Sequence, residues 1–177
     1  MSTIYLSLGS NEGDRLTNIK KALRMLESQV DVRSVSSVYE TEPWGLRNQP
    51  WFLNVVCSGE TDLTPHALLD FVKDIERRLG RQQTIRYGPR RLDIDILFYG
   101  HQVIRRTARP EPVEGRASRN RNSRLEIPHL RLADRSFVLV PLAEIAPELE
   151  HPETGKTASV MLAELEEPEV VRKYVPG

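Results

Sequence analysis

Residues 92–99 read Leu-Asp-Ile-Asp-Ile-Leu-Phe-Tyr, and this stretch decides the fold. Its branched and aromatic residues favour a strand, and the alternation of Asp with Ile predicts one polar and one apolar side. Strand pleating then places Asp93 and Asp95 on the same side, with Cα atoms roughly 6.5 Å apart. Ile94 and Ile96 face the core. Two carboxylates held in this way can bind hard cations such as Mg²⁺.

The segment before this strand is strongly cationic. No acidic residue occurs between Glu76 and Asp93. The arginines of the segment are Arg77, Arg78, Arg81, Arg86, Arg90 and Arg91. Arg77 and Arg78 fit an exposed helix surface, whereas Arg81 and Arg90 belong to a loop beside the acids, where guanidinium groups can bind phosphate oxygens. The alternative is a pair of solvent-facing acids on an edge strand, but the apolar strand and the cationic loop favour a site for metal and polyphosphate.

Upstream of this segment, the spacing of apolar residues predicts three more strands and two helices. In chain order these are strand 4–8, helix 14–28, strand 32–39, strand 52–60 and helix 64–79. The order β-α-β-β-α-β predicts an α+β, ferredoxin-like fold, with an antiparallel sheet and helices packed on one face. A short helix at 139–145 predicts a C-terminal helical extension.

Composition limits the class of protein. The chain has 177 residues, which suits a single domain spanning 1–177, and 39% of them are hydrophobic. Formal net charge is zero, which gives no bulk attraction to nucleic acid or to an anionic membrane. A single cysteine, no apolar run long enough for a membrane span and no secretory signal predict a cytoplasmic protein.

Residues 105–124 interrupt the pattern. They hold seven arginines and two glutamates and have little apolar content. Such a segment cannot bury enough surface to fold by itself, which predicts a disordered insertion. An RNA-binding arm is the alternative, but the segment has no aromatic residue for base stacking.

Two further groups suit a flat heteroaromatic ligand. Phe52 and Asn54 share one face of their strand, so an aromatic ring lies beside an amide. Arg135 and Phe137, which follow His129, offer a second cationic and aromatic pair. The chain has no Gly-x-x-x-x-Gly-Lys-Ser/Thr motif, so it is not a P-loop enzyme.

Together these residues resemble the 6-hydroxymethyl-7,8-dihydropterin pyrophosphokinase family of folate biosynthesis. The matching motifs are Leu8-Gly-Ser-Asn11, Tyr39-Glu-Thr-Glu-Pro-Trp-Gly45, Gln49-Pro-Trp-Phe-Leu-Asn54, Glu76-Arg-Arg-Leu-Gly-Arg81, Tyr87-Gly-Pro-Arg-Arg-Leu-Asp-Ile-Asp95, Ile127-Pro-His129 and Arg135-Ser-Phe-Val-Leu-Val-Pro-Leu142. In this chain the second loop arginine typical of the family is replaced by Gln83, and Arg86 is a possible substitute. Tyr87 and Leu130 also depart from the residues that are usual in the family.

The resemblance implies an ATP- and Mg²⁺-dependent diphosphotransferase that moves the diphosphate of ATP to the hydroxymethyl group of the pterin and releases AMP. It implies that Asp93 and Asp95 bind two Mg²⁺ ions and act in catalysis with Arg81 and Arg90. The implied ATP contacts are Arg81, Arg90, Ile96, His129 and Arg135. The implied pterin contacts are Thr41, Pro43, Trp44, Phe52, Asn54 and Phe137.

The partners expected from this resemblance are the two small-molecule substrates, with no nucleic acid and no membrane, and the protein is expected to be a monomer. Two other classes stay open on the residues alone. One is a non-catalytic ferredoxin-like module that binds RNA or senses a small molecule. The other is a different phosphoryl or nucleotidyl transferase that uses the same metals on another acceptor.

Overall fold

The computed structural model describes residues 1–43, 45–80, 88–105, 125–166 and 168–177. Five strands and two helices precede the 106–124 segment: β1 Ser2–Ser10, α1 Arg15–Leu26, β2 Asp31–Val35, β3 Tyr39–Thr41, β4 Phe52–Thr61, α2 Pro65–Arg78 and β5 Asp93–Tyr99. A 3₁₀ turn Leu132–Asp134, α3 Ser136–Ile145, α4 Ala158–Ala163 and β6 Val171–Lys173 follow it. None of the helices described is long and apolar enough to cross a membrane.

The strands form an antiparallel sheet in the order β5-β1-β4-β3-β6, and β2 also pairs with β4. Both β2 and β3 pair with β4, but the strand predicted at 32–39 is interrupted: β2 covers its first part, whereas β3 overlaps it only at Tyr39 and continues to Thr41. Ser36 lies at the interruption, and its hydroxyl accepts a hydrogen bond from Val56 N at 3.0 Å in place of a backbone carbonyl. The predicted ferredoxin-like order is therefore confirmed.

Helices α1 and α2 cover one face of the sheet. Their apolar stripes pack on Leu6 of β1, Val55 of β4 and Ile94 of β5, which are all buried. Both helices begin where a side chain caps the first turn: Asp14 accepts from Thr17 N at 3.0 Å, and Thr64 accepts from Ala67 N at 3.3 Å. These caps match the predicted starts to within a residue.

The C-terminal helices cover the opposite face. Leu139 and Leu142 of α3 and Met161 of α4 pack with Val56 and Phe98 in a second core. Helix α3 begins three residues before the predicted 139–145 helix, so its N-terminus lies close to the sheet surface that carries the aspartates. Helix α4 and β6 are not among the predicted elements, because runs as short as six and three residues give almost no periodic signal.

The predicted insertion falls almost wholly outside the described residues, at 106–124. Its first residue, Arg105, donates to the carbonyl oxygens of Ile127 at 3.4 Å and Pro128 at 3.2 Å. Ile104 and Ile127 form an antiparallel bridge beside it. The two ends of the segment therefore leave the fold from neighbouring positions.

Candidate active site

The two aspartates and Asn54 form the floor of a cavity of about 120 Å³, called here the small pocket. Strand pairing explains the arrangement, because Gly9 of β1 lies opposite Asp93 of β5 on one side and opposite Asn54 of β4 on the other. Asp95 lies opposite Ser7. The polar side of β5 and the polar side of β4 thus meet across β1, on the face that α3 covers.

Gly9 opens this floor. A Cβ atom at position 9 would lie 2.7 Å from Oδ1 of Asn54 and 3.6 Å from Cδ1 of Phe52. Real Cβ atoms essentially never approach an oxygen that closely, so only glycine lets the Asn54 amide lie over β1. The lack of a side chain at position 9 therefore makes room for the Asn54 amide in the small pocket.

Two aromatic rings line the small pocket. Phe52 comes from the start of β4, and Phe137 comes from the first turn of α3. Asn54 lines the same pocket and is held in place because its Nδ2 donates to Oγ1 of Thr41 at 2.7 Å, and Asn54 and Thr41 are almost fully buried. The remaining amide oxygen is thus held in one orientation.

A larger cavity of about 400 Å³, called here the edge cleft, runs along the outer edge of β5. Lys73 of α2, His129 and Arg131 line it. Glu76 accepts from Ile94 N at 2.7 Å and His129 N donates to Leu97 O at 3.1 Å, so both walls of the cleft are attached to β5. The edge cleft and the small pocket share Arg90, Asp95 and Arg135.

The shared region holds opposite charges in close proximity. Burial, and then the neighbouring Asp93 carboxylate, raises the pKa of Asp95 against the opposing effect of His129, Lys73 and Arg135. Arg90 donates to Asp93 at 2.9 Å. Burial lowers the pKa of His129, although the Asp95 carboxylate acts in the opposite direction. A bound cation would relieve the repulsion between the two carboxylates.

Arg135 carries a buried Nε that has no hydrogen-bond partner in the part of the chain that the structure describes. Its guanidinium lies 5.4 Å from the centre of the Phe137 ring. A buried donor without an acceptor is costly. An anionic group in the shared region would supply that acceptor.

Asp93 and Asp95 fit magnesium, because half-buried carboxylates in one cavity are the oxygen ligands that this ion prefers. Among the described residues no group of three or more His, Cys, Asp or Glu side chains could hold a metal. The two aspartates would therefore supply only part of a coordination shell. Magnesium commonly completes its shell with water and substrate phosphates.

Most of the predicted site residues are brought together. Thr41, Phe52, Asn54, Phe137, Arg90 and both aspartates line the small pocket, while Ile96, His129 and Arg135 line the edge cleft. Pro43 is buried next to Glu42, which lines the small pocket. Trp44, Arg81, Gln83, Arg86 and Tyr87 lie outside the described residues, and their predicted roles are not tested by the structure.

Asn11 was given no role in the sequence-based prediction. Its Oδ1 accepts from Arg90 N at 2.7 Å, and its Nδ2 donates to Gln49 Oε1 and to Pro50 O, each at 3.0 Å. It is almost fully buried and joins both loops that border the small pocket. The sequence signal was a polar residue directly after a strand, which equally fits an ordinary turn.

Glu76 and Lys73 were also missed as parts of the site. Glu76 is a charged residue on the apolar stripe of α2, yet it is only 1% exposed. Lys73 donates a hydrogen bond to it at 3.0 Å. A buried charge within such a stripe was the available signal. The sequence does not show that Glu76 accepts a hydrogen bond from Ile94 N, because the two meet only when α2 lies beside β5.

The fold and the site define a class first: a ferredoxin-like protein with paired aspartates beside a cationic cleft. The model of the 7,8-dihydro-6-hydroxymethylpterin-pyrophosphokinase family matches residues 5–147. The 2-amino-4-hydroxy-6-hydroxymethyldihydropteridine pyrophosphokinase of Aquifex aeolicus is 41% identical over 152 residues, which cover 86% of this chain and 85% of the relative. The namesake enzyme of Methylorubrum extorquens is 41% identical over 94% of this chain and 95% of its own. The chain belongs to this pyrophosphokinase family and is a diphosphotransferase.

A solved structure agrees in fold. The crystal structure of Plasmodium falciparum HPPK-DHPS wild type with SDX-DHP superimposes with a TM-score of 0.71 at 17% identity, covering 93% of this chain. The chain spans 43% of that longer protein. At this level of identity the likeness bears on the fold alone.

Proposed function

We propose that the small pocket binds 6-hydroxymethyl-7,8-dihydropterin and that the edge cleft binds ATP, so that the diphosphate passes between them at Asp95, Arg90 and Arg135. The observation that carries this assignment is that the two cavities share these three residues. One cavity is small and aromatic, and the other is larger and cationic. A flat acceptor and a polyphosphate donor would therefore meet at a charged boundary.

In the acceptor half, the pterin ring lies between Phe52 and Phe137, and the Asn54 amide binds the ring edge. Stacking of heteroaromatic rings between aromatic side chains is favourable, and the Asn54–Thr41 hydrogen bond at 2.7 Å fixes the amide in advance. This arrangement leaves the hydroxymethyl group facing the aspartates. Thr41, Pro43 and Trp44 belong to the same segment and are proposed to shape its edge.

In the donor half, Arg135 and His129 bind the nucleotide phosphates, and Ile96 contributes to the apolar wall. The buried Nε of Arg135 gains an acceptor when a phosphate is present. Arg90 supplies a further cation and is held in place by its 2.9 Å contact with Asp93. Arg81, which lies outside the described residues, is proposed as an additional phosphate contact.

Transfer follows from this placement. The hydroxymethyl oxygen of the pterin forms a bond to the β-phosphorus of ATP and gives up its proton to solvent, and the bond from that phosphorus to the α,β-bridging oxygen breaks, so AMP leaves with the oxygen. Positioning and charge stabilisation account for most catalysis in such reactions, and the loose transition state needs little help from a base. Magnesium, proposed as two ions at Asp93 and Asp95, neutralises the phosphate oxygens when bound.

We also propose that the protein is a cytoplasmic monomer that acts on small molecules and needs neither nucleic acid nor a membrane. Size-exclusion chromatography with light scattering would test the monomer. A single domain of 1–177 that carries an insertion at about 105–124 is proposed as well, and limited proteolysis would test it: cleavage confined to the inserted segment is the expected result.

The deciding experiment measures AMP release by the purified full-length chain with ATP, Mg²⁺ and hydroxymethyl-dihydropterin. We expect one AMP for each pterin diphosphate formed, and no reaction when the pterin is omitted. Release with a different hydroxylated acceptor but not with the pterin would favour another transferase of this fold. Absence of release with every acceptor would contradict the catalytic assignment.

A further inference from the structure

The C-terminal segment 168–177 lies beyond residues 5–147, which the family model matches. Its strand β6 extends the sheet by pairing with β3, and Val171 lies opposite Thr41 of the small pocket. Tyr174 N donates to Val38 O at 2.8 Å, just before β3. The end of the chain is therefore attached to the segment that forms one wall of the proposed pterin site.

The same segment contacts the opposite wall. Ser136 N donates to Oε2 of Glu169 at 2.9 Å, and the Ser136 hydroxyl donates to the main-chain oxygen of Glu169 at 3.3 Å and to its carboxylate. Ser136 is 1% exposed and lies between Arg135 and Phe137. Glu169 thus binds the one residue that separates two side chains of the site.

This contact replaces an ordinary helix cap. Arg135 occupies the N-cap position of α3 and makes no capping hydrogen bond with its side chain. The first N–H groups of a helix lack partners within the helix, and a carboxylate there is favoured by the helix dipole. Glu169 supplies that carboxylate from a position 33 residues along the chain. The orientation of the first turn of α3 therefore depends on where the C-terminal segment lies.

Arg172 provides the matching attachment on the β3 side. Its Nη2 donates to Glu40 at 2.9 Å, its Nε donates to the same carboxylate at 3.3 Å, and its guanidinium lies 4.8 Å from the Trp51 ring centre. Glu40 precedes Thr41, and Trp51 precedes Phe52. Three residues apart, Glu169 and Arg172 thus hold the neighbours of Phe137 and of Phe52.

From this geometry we propose that Glu169 is a positioning residue of the acceptor site, which fixes Phe137 and Arg135 at the correct distance from Phe52 by capping α3. The proposal rests on the assignment of the small pocket to the pterin. A purely structural role would predict something different: loss of Glu169 would reduce folding stability without changing the affinity of the molecules that do fold. KM values and melting temperature therefore separate the two roles.

The test compares Glu169→Ala, Glu169→Gln and Ser136→Ala in the full chain, with KM for pterin, KM for ATP, kcat and Tm measured for each. We expect Glu169→Ala to raise the pterin KM roughly tenfold, since small misplacements near a reacting group are costly. The ATP KM should rise less, because other residues of the edge cleft also bind the nucleotide. Glu169→Gln should restore most of the pterin affinity, because its amide oxygen can still accept from Ser136 N. Ser136→Ala should shift the pterin KM in the same direction by a smaller factor.

Glu164→Ala is the matched control. Glu164 lies in the same C-terminal region and pairs with Lys156 at 2.6 Å, on an exposed surface, so its removal should leave both KM values unchanged. An unchanged pterin KM in Glu169→Ala and Ser136→Ala, with or without a lower Tm, would overturn the positioning role. An unchanged pterin KM in Phe137→Ala, measured beside them, would instead overturn the assignment of the small pocket, and this proposal with it.

Discussion

The small pocket and the edge cleft share a boundary but are built differently. The small pocket is enclosed by four paired strands and the first turn of α3, and its Asn54 side chain is already hydrogen-bonded to Thr41 at 2.7 Å. The edge cleft is formed along the open side of β5 by α2 and by the Leu125–Arg131 segment. Its lining is rich in positive charge and includes Arg135, whose Nε has no partner among the described residues.

This difference between the two cavities indicates how the two substrates would be recognised. A flat, neutral ring is selected by shape, so its site benefits from being rigid and small before binding. A polyanion is selected by charge, which acts over a longer distance and tolerates a larger, more open cleft. Substitutions in the small pocket should therefore raise the pterin KM strongly. Single substitutions among the cleft cations should each raise the ATP KM only modestly.

The largest effect is expected at the boundary itself. Asp95→Ala should lower kcat by about 10³-fold or more, because it removes a proposed metal ligand that faces both substrates. AMP formation measures the effect. Asp62→Ala is the control, since Asp62 is exposed and contacts only the N-terminal amine in the described structure. Near-normal turnover in Asp95→Ala would contradict the metal assignment.

The substitution Phe137→Ala should weaken binding of the pterin without affecting that of ATP. Loss of one stacking ring should cost about 1–3 kcal/mol, which corresponds to roughly a 5- to 150-fold rise in the pterin KM. The ATP KM should change little. Phe71→Ala is the matched control, because Phe71 packs against the core from α2, away from the small pocket. That control should lower Tm without changing either KM, and a similar KM profile in both variants would show that the aromatic slot is not specific.

Lys73→Met breaks the donor side. Lys73 lines the edge cleft and donates to Glu76 at 3.0 Å, so the change removes one cation while keeping most of the length of the unbranched side chain. We expect the ATP KM to rise about three- to tenfold and the pterin KM to stay constant. Lys73→Arg should retain most of the ATP affinity, because the charge is kept. A rise in the pterin KM alone would reverse the assignment of the two cavities.

The smallest effect is expected at Glu40, which Arg172 binds beside the small pocket, and it is a change of folding stability that depends on pH. Burial acts to raise the pKa of Glu40, but hydrogen bonds from Arg172 and Arg15 outweigh it, and the net shift is downward. A carboxyl group with a lowered pKa in the folded state stabilises the fold at pH values above its unfolded pKa. This stabilisation is lost as the pH falls through the lower, folded pKa.

The free energy of unfolding of Glu40→Gln should therefore fall below that of the wild type at pH 7, and the two should converge as the pH drops below the ordinary glutamate range of about 4.3. Urea unfolding at about pH 7, 4 and 3 would measure the difference across this window. Glu164→Gln, at an exposed pair, should show a nearly constant difference. A Glu40→Gln difference that grows in acid would contradict the interpretation.

Local patterns determined much of the fold. The alternation around Asp93 and Asp95, the apolar stripes of α1 and α2 and the capping residues Asp14 and Thr64 all describe neighbours in sequence, so they could be interpreted without knowledge of the fold. The division of the predicted second strand could not, because it depends on the Ser36 hydroxyl meeting Val56 across the sheet. Strand β6 forms only because β3 offers it an edge.

For the site, the sequence by itself determined which side chains are proposed to carry the chemistry: the paired aspartates, the arginines, and the two aromatic rings with an amide. Only the tertiary structure decided how they are held. Asn11 joins two loops from 38 to 79 residues away, and Glu169 caps a helix 33 residues upstream. Hydrogen bonds over such separations leave no periodic trace, because each partner is an ordinary polar residue until the fold brings the two together.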